Sequence, residues 1–304
     1  MHWYRYLGRR EALGVLYRSP HKYDRQRNQI RLLHLYANTR NMADTSQEAS
    51  DVTIEHWHKG TTFDALPEHL RPEDSAAGYA IQAHVLRLTD KPLFGWKIAA
   101  TSAAGQKHIN VTRPLAGRIL QERVTTPAEP VPLGYNRMKV AELEFVFRMG
   151  TTLTPRSNPY SDDEAMDAVD GLFIGVEVPD SRFEDFTTAG AAQLIADNAC
   201  GDRFIIGPEV KGDWRKTDLK AHEVRGWKSD GSMEVRTGTG AAVLGDPRTA
   251  LTWLVNELSE NGMKLEKGQY VTTGTCMFPI SVEPGDVVVG DYGDFGRVEI
   301  TFAQ

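Results

Sequence analysis

Cysteine is scarce in this chain. Its 304 residues hold two, Cys200 and Cys276, far apart and in no metal-ligand spacing. Neither the count nor the composition suggests a disulfide-stapled secreted scaffold, and a reducing cytoplasm is the expected compartment. No run of about 18 apolar residues occurs, so no transmembrane span is expected. The glycines from Gly240 to Gly245 follow neither Walker nor Rossmann spacing, which argues against a nucleotide site. Internal repeats and low-complexity blocks are missing as well. Positive charge is scarce beyond the first 41 residues. Those carry nine Lys/Arg against two acids (Glu11 and Asp24), a charge of +7, so the remainder of a chain with net charge −6 carries −13. An acidic body argues against nucleic acid as partner and suits a site that holds a cation. With 40% hydrophobic and 25% charged residues, the composition fits one large globular domain or two small ones.

Against that background two residues stand out. Glu142 and Glu144 sit in Val140-Ala-Glu-Leu-Glu-Phe-Val-Phe147, a stretch that otherwise reads as a buried strand. Strand side chains alternate, so Glu142, Glu144 and Val146 share one face, and Ala141, Leu143, Phe145 and Phe147 share the other. Paired carboxylates among apolar neighbours are costly to bury unless a charge neutralises them. A divalent cation does so, and oxygen ligands suit magnesium, manganese or calcium better than zinc. A half-exposed strand with its polar face in water is the blander reading. Glu177, in Ile174-Gly-Val-Glu-Val-Pro-Asp-Ser-Arg182, and Lys97, in Phe94-Gly-Trp-Lys-Ile-Ala-Ala-Thr-Ser102, repeat the anomaly. Three strand-like segments thus each place a charge where the pattern asks for an apolar or neutral residue, as functional sites tend to do.

Along the chain, residues 1–41 lack any clear period. They read as an extension upstream of an ordinary start at Met42, with an Arg-rich, acid-poor transit segment as the other reading. Helices are predicted over 54–60, 75–88, 161–169 and 247–261, the last opening at Pro247 and ending near Gly262. Strands are predicted over 94–99, 140–148, 171–178, 204–207, 222–227, 269–273, 286–290 and 297–302. Helices first, then a mixed and mostly antiparallel β region, make the fold class α+β. The expected organisation is the extension at 1–41, a helical segment at 42–92 and a catalytic domain at 93–304.

Seven segments in order carry a resemblance. They are Gly95-Trp-Lys-Ile-Ala-Ala-Thr-Ser102, the Glu142/Glu144 strand, Glu177 before Asp180-Ser-Arg182, Ile195-Ala-Asp-Asn-Ala199, Gly240-Ala-Ala-Val-Leu-Gly-Asp-Pro247, Thr272-Thr-Gly-Thr275 and Pro284-Gly-Asp286. From about residue 50 to 302 the chain resembles the 2-keto-4-pentenoate hydratase and 4-oxalocrotonate decarboxylase branch of the fumarylacetoacetate hydrolase superfamily. The resemblance implies a mixed β-roll around Mg2+ or Mn2+, with Glu142, Glu144 and Glu177 as metal carboxylates and Lys97 as the active-site lysine. It places Thr275 near the substrate carboxylate and brings Ser102, Asp197, Asn198 and Cys200 toward the substrate. The implied substrates are small 2-oxo or 2-hydroxydienoic acids from aromatic-ring breakdown, and the implied assembly is a homo-oligomer that also associates with a related pathway enzyme.

A 2-oxo acid chelates a metal through its carboxylate and its keto or enolate oxygen. Hydration, decarboxylation and C–C cleavage all pass through an enolate that a Lewis acid stabilises. Hydratase is the expected activity, with oxalocrotonate-type decarboxylase, acylpyruvate hydrolase and a non-catalytic partner subunit as alternatives. Lys97 would hold the substrate carboxylate by charge, or shuttle a proton. Two departures bear on the reaction. The acid of an E-P-D-Y-G-type loop is Leu115 here, in Arg113-Pro-Leu-Ala-Gly117, and the serine after A-D-N-A is Cys200. His108 is the one loop histidine to nominate as a general base, with a plain surface role as its alternative. His222 reads as structural.

Overall fold

β-branched and aromatic residues dominate the segments that pair. A computed structural model describes residues 45–304, so the expected extension at 1–41 lies outside the described residues. Thr45–Gln304 forms one compact unit. The chain is helical over 45–59 (α1), then over Ser75–Ala83 (α2), Ala103–His108 (α3), Asp162–Asp167 (α4), Ala191–Ala196 (α5) and Pro247–Glu260 (α6). Strands are Gly95–Ala99 (β1), Leu115–Ile119 (β2), Val124–Thr125 (β3), Val140–Met149 (β4), Val169–Val178 (β5), Arg203–Glu209 (β6), Glu223–Lys228 (β7), Arg236–Thr239 (β8), Tyr270–Thr275 (β9), Ile280–Ser281 (β10), Val287–Asp291 (β11) and Arg297–Thr301 (β12).

The larger sheet runs β2-β1-β9-β4-β5-β6-β3, with β10 on β4, and the smaller runs β12-β11-β7-β8. β1 and β9 pair parallel, as do β3 and β6; the remaining ladders are antiparallel. This is a mixed-sheet α+β fold, as the element order implies. Among the described residues no helix is long and apolar enough to cross a membrane.

β4 divides the interior. Leu143, Phe145 and Phe147 face the main core with Leu172, Ile174, Val176, Val288 and Ile300, while Val146 packs with Ile119, Phe173 and Phe204 on the opposite face. Each such side chain contributes about 1.5–3 kcal/mol by leaving water. Helix ends follow local chemistry. Asp74 caps α2 by accepting from Ala77 N–H at 2.9 Å. Ser161 and Glu164 form a reciprocal capping box on α4, and Asp246 precedes the Pro247 that opens α6.

The helix expected over 75–88 gives way to a tighter 3-10 turn at His84–Leu88, and that expected over 161–169 stops at Asp167 because β5 begins at Val169. Sequence periodicity passed over α3, α5, β2, β3, β8 and β10. These are two to six residues long, too short for a period to register.

Candidate metal centre

The register between β4 and β5 assembles the acids. Glu142 lies directly opposite Glu177, and Glu144 opposite Gly175. Carboxylate oxygens of Glu142, Glu144 and Glu177 all fall within 4.8 Å of one another. Glu144 and Glu177 are 0% and 3% exposed, while Glu142 sits part-exposed at the rim. Glu144 accepts from the Gly274 N–H at 2.8 Å through Oε2. Its Oε1 and the Oε2 of Glu177 are buried with no hydrogen-bond partner. Buried carboxylate oxygens without donors are rare and costly. A hard divalent cation fits this donor set, since it would satisfy both orphaned oxygens and the rim carboxylate together.

Lys97 completes the group. Its Nζ lies 2.9 Å from Glu177 Oε1 and donates to the Ala199 carbonyl at 2.9 Å. Burial works against the lysine charge, but the Glu177 and Glu142 carboxylates outweigh it and hold the ammonium above its ordinary pKa. Burial pushes Glu142 up to about 7, with the Glu177 charge adding to the rise. The same causes hold Glu144 well above the usual range, and burial raises Glu177 despite Lys97.

Backbone irregularity accompanies the acids. The ladder slips between Glu144 and Val146 against β9, and between Phe173 and Gly175 against β6. The Tyr292 hydroxyl donates to the Glu144 carbonyl at 3.1 Å and the Gly175 carbonyl at 3.3 Å, beneath these two bulges. His222 Nε2 in turn sits 2.7 Å from the Tyr292 carbonyl, and its ring stacks on Phe295, the structural place its sequence context suggests. Gly274 has φ of 105°, and a Cβ there would meet Thr101 Oγ1 at 2.2 Å. Only glycine lets the β9 end approach this closely and offer its N–H to Glu144.

The other residues singled out in the sequence spread around this group. Thr275 pairs with Glu144 in the β4–β9 ladder and donates to the Met277 carbonyl. Ser102 caps α3 by accepting from Gly105 N–H at 3.0 Å. His108 ends α3, exposed, with its ring edge-on to Phe186; nothing joins it to the acids. Asp197 is buried and accepts from Ser181 Oγ (2.8 Å), Arg182 N–H (2.9 Å) and the Arg182 guanidinium. Asn198 is taken up by the β2 backbone, accepting from Arg118 N–H at 2.7 Å and donating to the Arg118 carbonyl at 2.8 Å. Cys200 is buried, and burial foremost pushes its thiol up to about 12. Leu115, 1% exposed, opens β2 opposite Ala99. A cavity of about 280 Å3 opens elsewhere, along His56–Thr62, Leu133–Arg137 and Asp180–Arg182; the carboxylate trio and Lys97 do not line it. Tyr292 carries no local sequence signal, and although Ala199 and Gly274 lie in segments the sequence singles out, all three matter through contacts more than a hundred residues away in sequence.

With the geometry in hand, comparison with known proteins is specific. The family model "Fumarylacetoacetate (FAA) hydrolase C-terminal" matches residues 76–303. A 2-keto-4-pentenoate hydratase of Paraburkholderia xenovorans (strain LB400) is 28% identical over 239 residues, 79% of this chain and 86% of that protein. A 4-oxalocrotonate decarboxylase of Pseudomonas putida is 29% identical over 231 residues, 75% of this chain and 85% of that one. The solved 4-oxalocrotonate decarboxylase from Pseudomonas putida G7, complexed with calcium and acetate, superposes with a TM-score of 0.74. It is 25% identical, covering 85% of this chain and 97% of that one.

Proposed function

Since this chain belongs to the fumarylacetoacetate hydrolase family, we propose that it is a metal-dependent lyase that hydrates a small 2-hydroxydienoate or 2-oxo acid. The observation that carries this reading is the trio of Glu142, Glu144 and Glu177 within 4.8 Å, two of its buried oxygens lacking donors, beside the buried ammonium of Lys97. Relatives named for hydration of 2-keto-4-pentenoate and for decarboxylation of 4-oxalocrotonate support the substrate class.

In this reading Glu142, Glu144 and Glu177 hold Mg2+ or Mn2+. Once bound, the cation supplies a Lewis acid where negative charge develops on an enolate oxygen. Lys97 keeps its proton under the charges of Glu177 and Glu142, so it attracts the substrate carboxylate. Glu177, anchored by Lys97, and Glu144, anchored by Gly274, keep the oxygens in place without rearrangement. Thr275, opposite Glu144 in the β4–β9 ladder, is the hydroxyl assigned to the substrate in this reading.

One observation favours decarboxylation as the second reading. Leu115 lies on the face of β2 that Gly117 and Lys97 share and is buried in the main core, so that strand position puts an apolar group, and no acid, near the lysine. An apolar wall weakens the solvation of a carboxylate about to leave as CO2, and it supplies no proton for hydration. Hydrolysis needs a base for water, and His108 stands apart from the acids.

The test follows loss of the conjugated absorbance of 2-hydroxypenta-2,4-dienoate with Mg2+, with a chelator, and with Glu144→Gln. Metal-dependent loss that the substitution abolishes is the expected result. No loss, alongside metal-dependent CO2 release from 4-oxalocrotonate, overturns the hydratase in favour of the decarboxylase.

A further inference from the structure

Asn198, Ala199 and Cys200 adopt φ of 55°, 49° and 59° in succession. Three consecutive non-glycine residues in the left-handed region are strained, since this region favours glycine and, among the rest, asparagine. Such strain persists only where surrounding contacts over-determine it, and here they do. Arg182 holds the turn from one side, donating to the Gly201 carbonyl at 3.1 Å and to the Asp197 carbonyl, and Asp180 N–H binds the Cys200 carbonyl at 2.9 Å. From the other side both ends of the Asn198 amide are fixed to the Arg118 backbone of β2, at 2.7 and 2.8 Å.

What the turn presents is the Ala199 carbonyl, at 2.9 Å from Lys97 Nζ. β2 is also the strand that lies against Lys97, with Gly117 directly opposite it. A Cβ at Gly117 would stand 2.4 Å from the Asn198 carbonyl oxygen and 2.9 Å from Lys97 Cδ. Turn, strand and lysine stem are therefore in mutual contact, and the one side chain that ties turn to strand is Asn198.

We infer that Asn198 is a positioning residue: its amide latches the left-handed 198–200 turn to β2, so that the Ala199 carbonyl and Glu177 together fix the Lys97 ammonium. This deepens the proposed function, because a fixed ammonium has a purpose only where a substrate carboxylate meets it. It also reassigns Asn198 from touching substrate to acting through Lys97.

Asn198→Gly removes both latch bonds while keeping the backbone free to adopt the turn, which separates the latch from the strain. The full chain with Mg2+ is treated with acetic anhydride, and acetylation of Lys97 is followed by peptide mass spectrometry beside that of the surface lysines. Lys97 is 3% exposed, so slow labelling is expected in the wild type. The variant is expected to label several-fold faster at Lys97 alone, with KM raised and kcat/KM reduced on the order of tenfold. Lys97 labelling at the wild-type rate in folded variant overturns the inference. Should the glycine variant fail to fold, Asn198→Asp, which keeps the acceptor and the tolerance for positive φ, is read by the same two outcomes. Labelling needs no substrate, so a failed hydratase assay and a failed latch are told apart: faster Lys97 labelling in the variant beside a wild type without turnover sinks the proposed reaction, and wild-type turnover with unchanged labelling in the variant sinks the latch.

Discussion

At Glu144 function and stability pull in opposite directions. Its carboxyl is 0% exposed, one oxygen has no donor, and burial raises its pKa well above the usual range. The unfolded chain ionises this group more readily than the folded one does. Raising the pH through the carboxylate range therefore favours unfolding of the metal-free protein. Glu144→Gln removes that penalty. The expected outcome is a metal-free variant that melts higher than wild type at pH 8, while Mn2+ affinity falls on the order of tenfold or more. Melting curves in chelator and calorimetric titration with Mn2+ check the two halves separately. A variant that loses stability and keeps its affinity would assign Glu144 to the fold alone.

At the scale of elements, each short segment has a separable physical role. β2 approaches β1 and the 198–200 turn so closely that residue 117 has no space for a Cβ. Gly117→Ala is expected to cost about 1–3 kcal/mol by overpacking against backbone, measured by denaturant unfolding. Its effect should exceed that of Gly212→Ala, where only the positive φ of 86° and no neighbouring atom opposes the methyl. α4 gives a pH-dependent case. The Glu164 carboxyl is held down at about 2, first by Arg156 and then by the Ser161 N–H of its capping box. A folded pKa below the unfolded 4.5 contributes stability that is present above 4.5 and lost as pH falls toward about 2. Glu164→Gln should therefore lower the melting temperature at pH 7 and leave it unchanged near pH 2. A difference that persists in acid would mean that packing, and not charge, explains the effect.

For the whole molecule, the proposed cation site at the carboxylate trio would tie metal binding to folding. Glu142, Glu144 and Glu177 sit on adjacent central strands of the larger sheet, so a cation held between them is lost when the sheet opens. Free metal at a hundred times Kd then adds about 2.7 kcal/mol, on the order of 5 °C or more in melting temperature for a unit of this size. Mg2+ or Mn2+ is expected to raise the melting temperature in this way, and Glu144→Gln to abolish the rise. An equal rise in both proteins would place the cation elsewhere.

The sequence by itself determined which residues break the strand pattern with charge. Charges at Lys97, Glu142, Glu144 and Glu177 interrupt apolar strand patterns, and alternation along β4 is a local property that puts Glu142 and Glu144 on one face before any fold is known. It likewise determined the longer elements, because capping and periodicity act over a few residues. Only the tertiary structure decided that Glu177 lies opposite Glu142, that Gly274 N–H and Tyr292 steady Glu144, and that Asn198 faces β2. Register between strands is set by core packing and turn geometry distant in the chain. A left-handed run at Asn198–Cys200 is also invisible in composition, since two of its three residues disfavour it and only surrounding contacts hold them there.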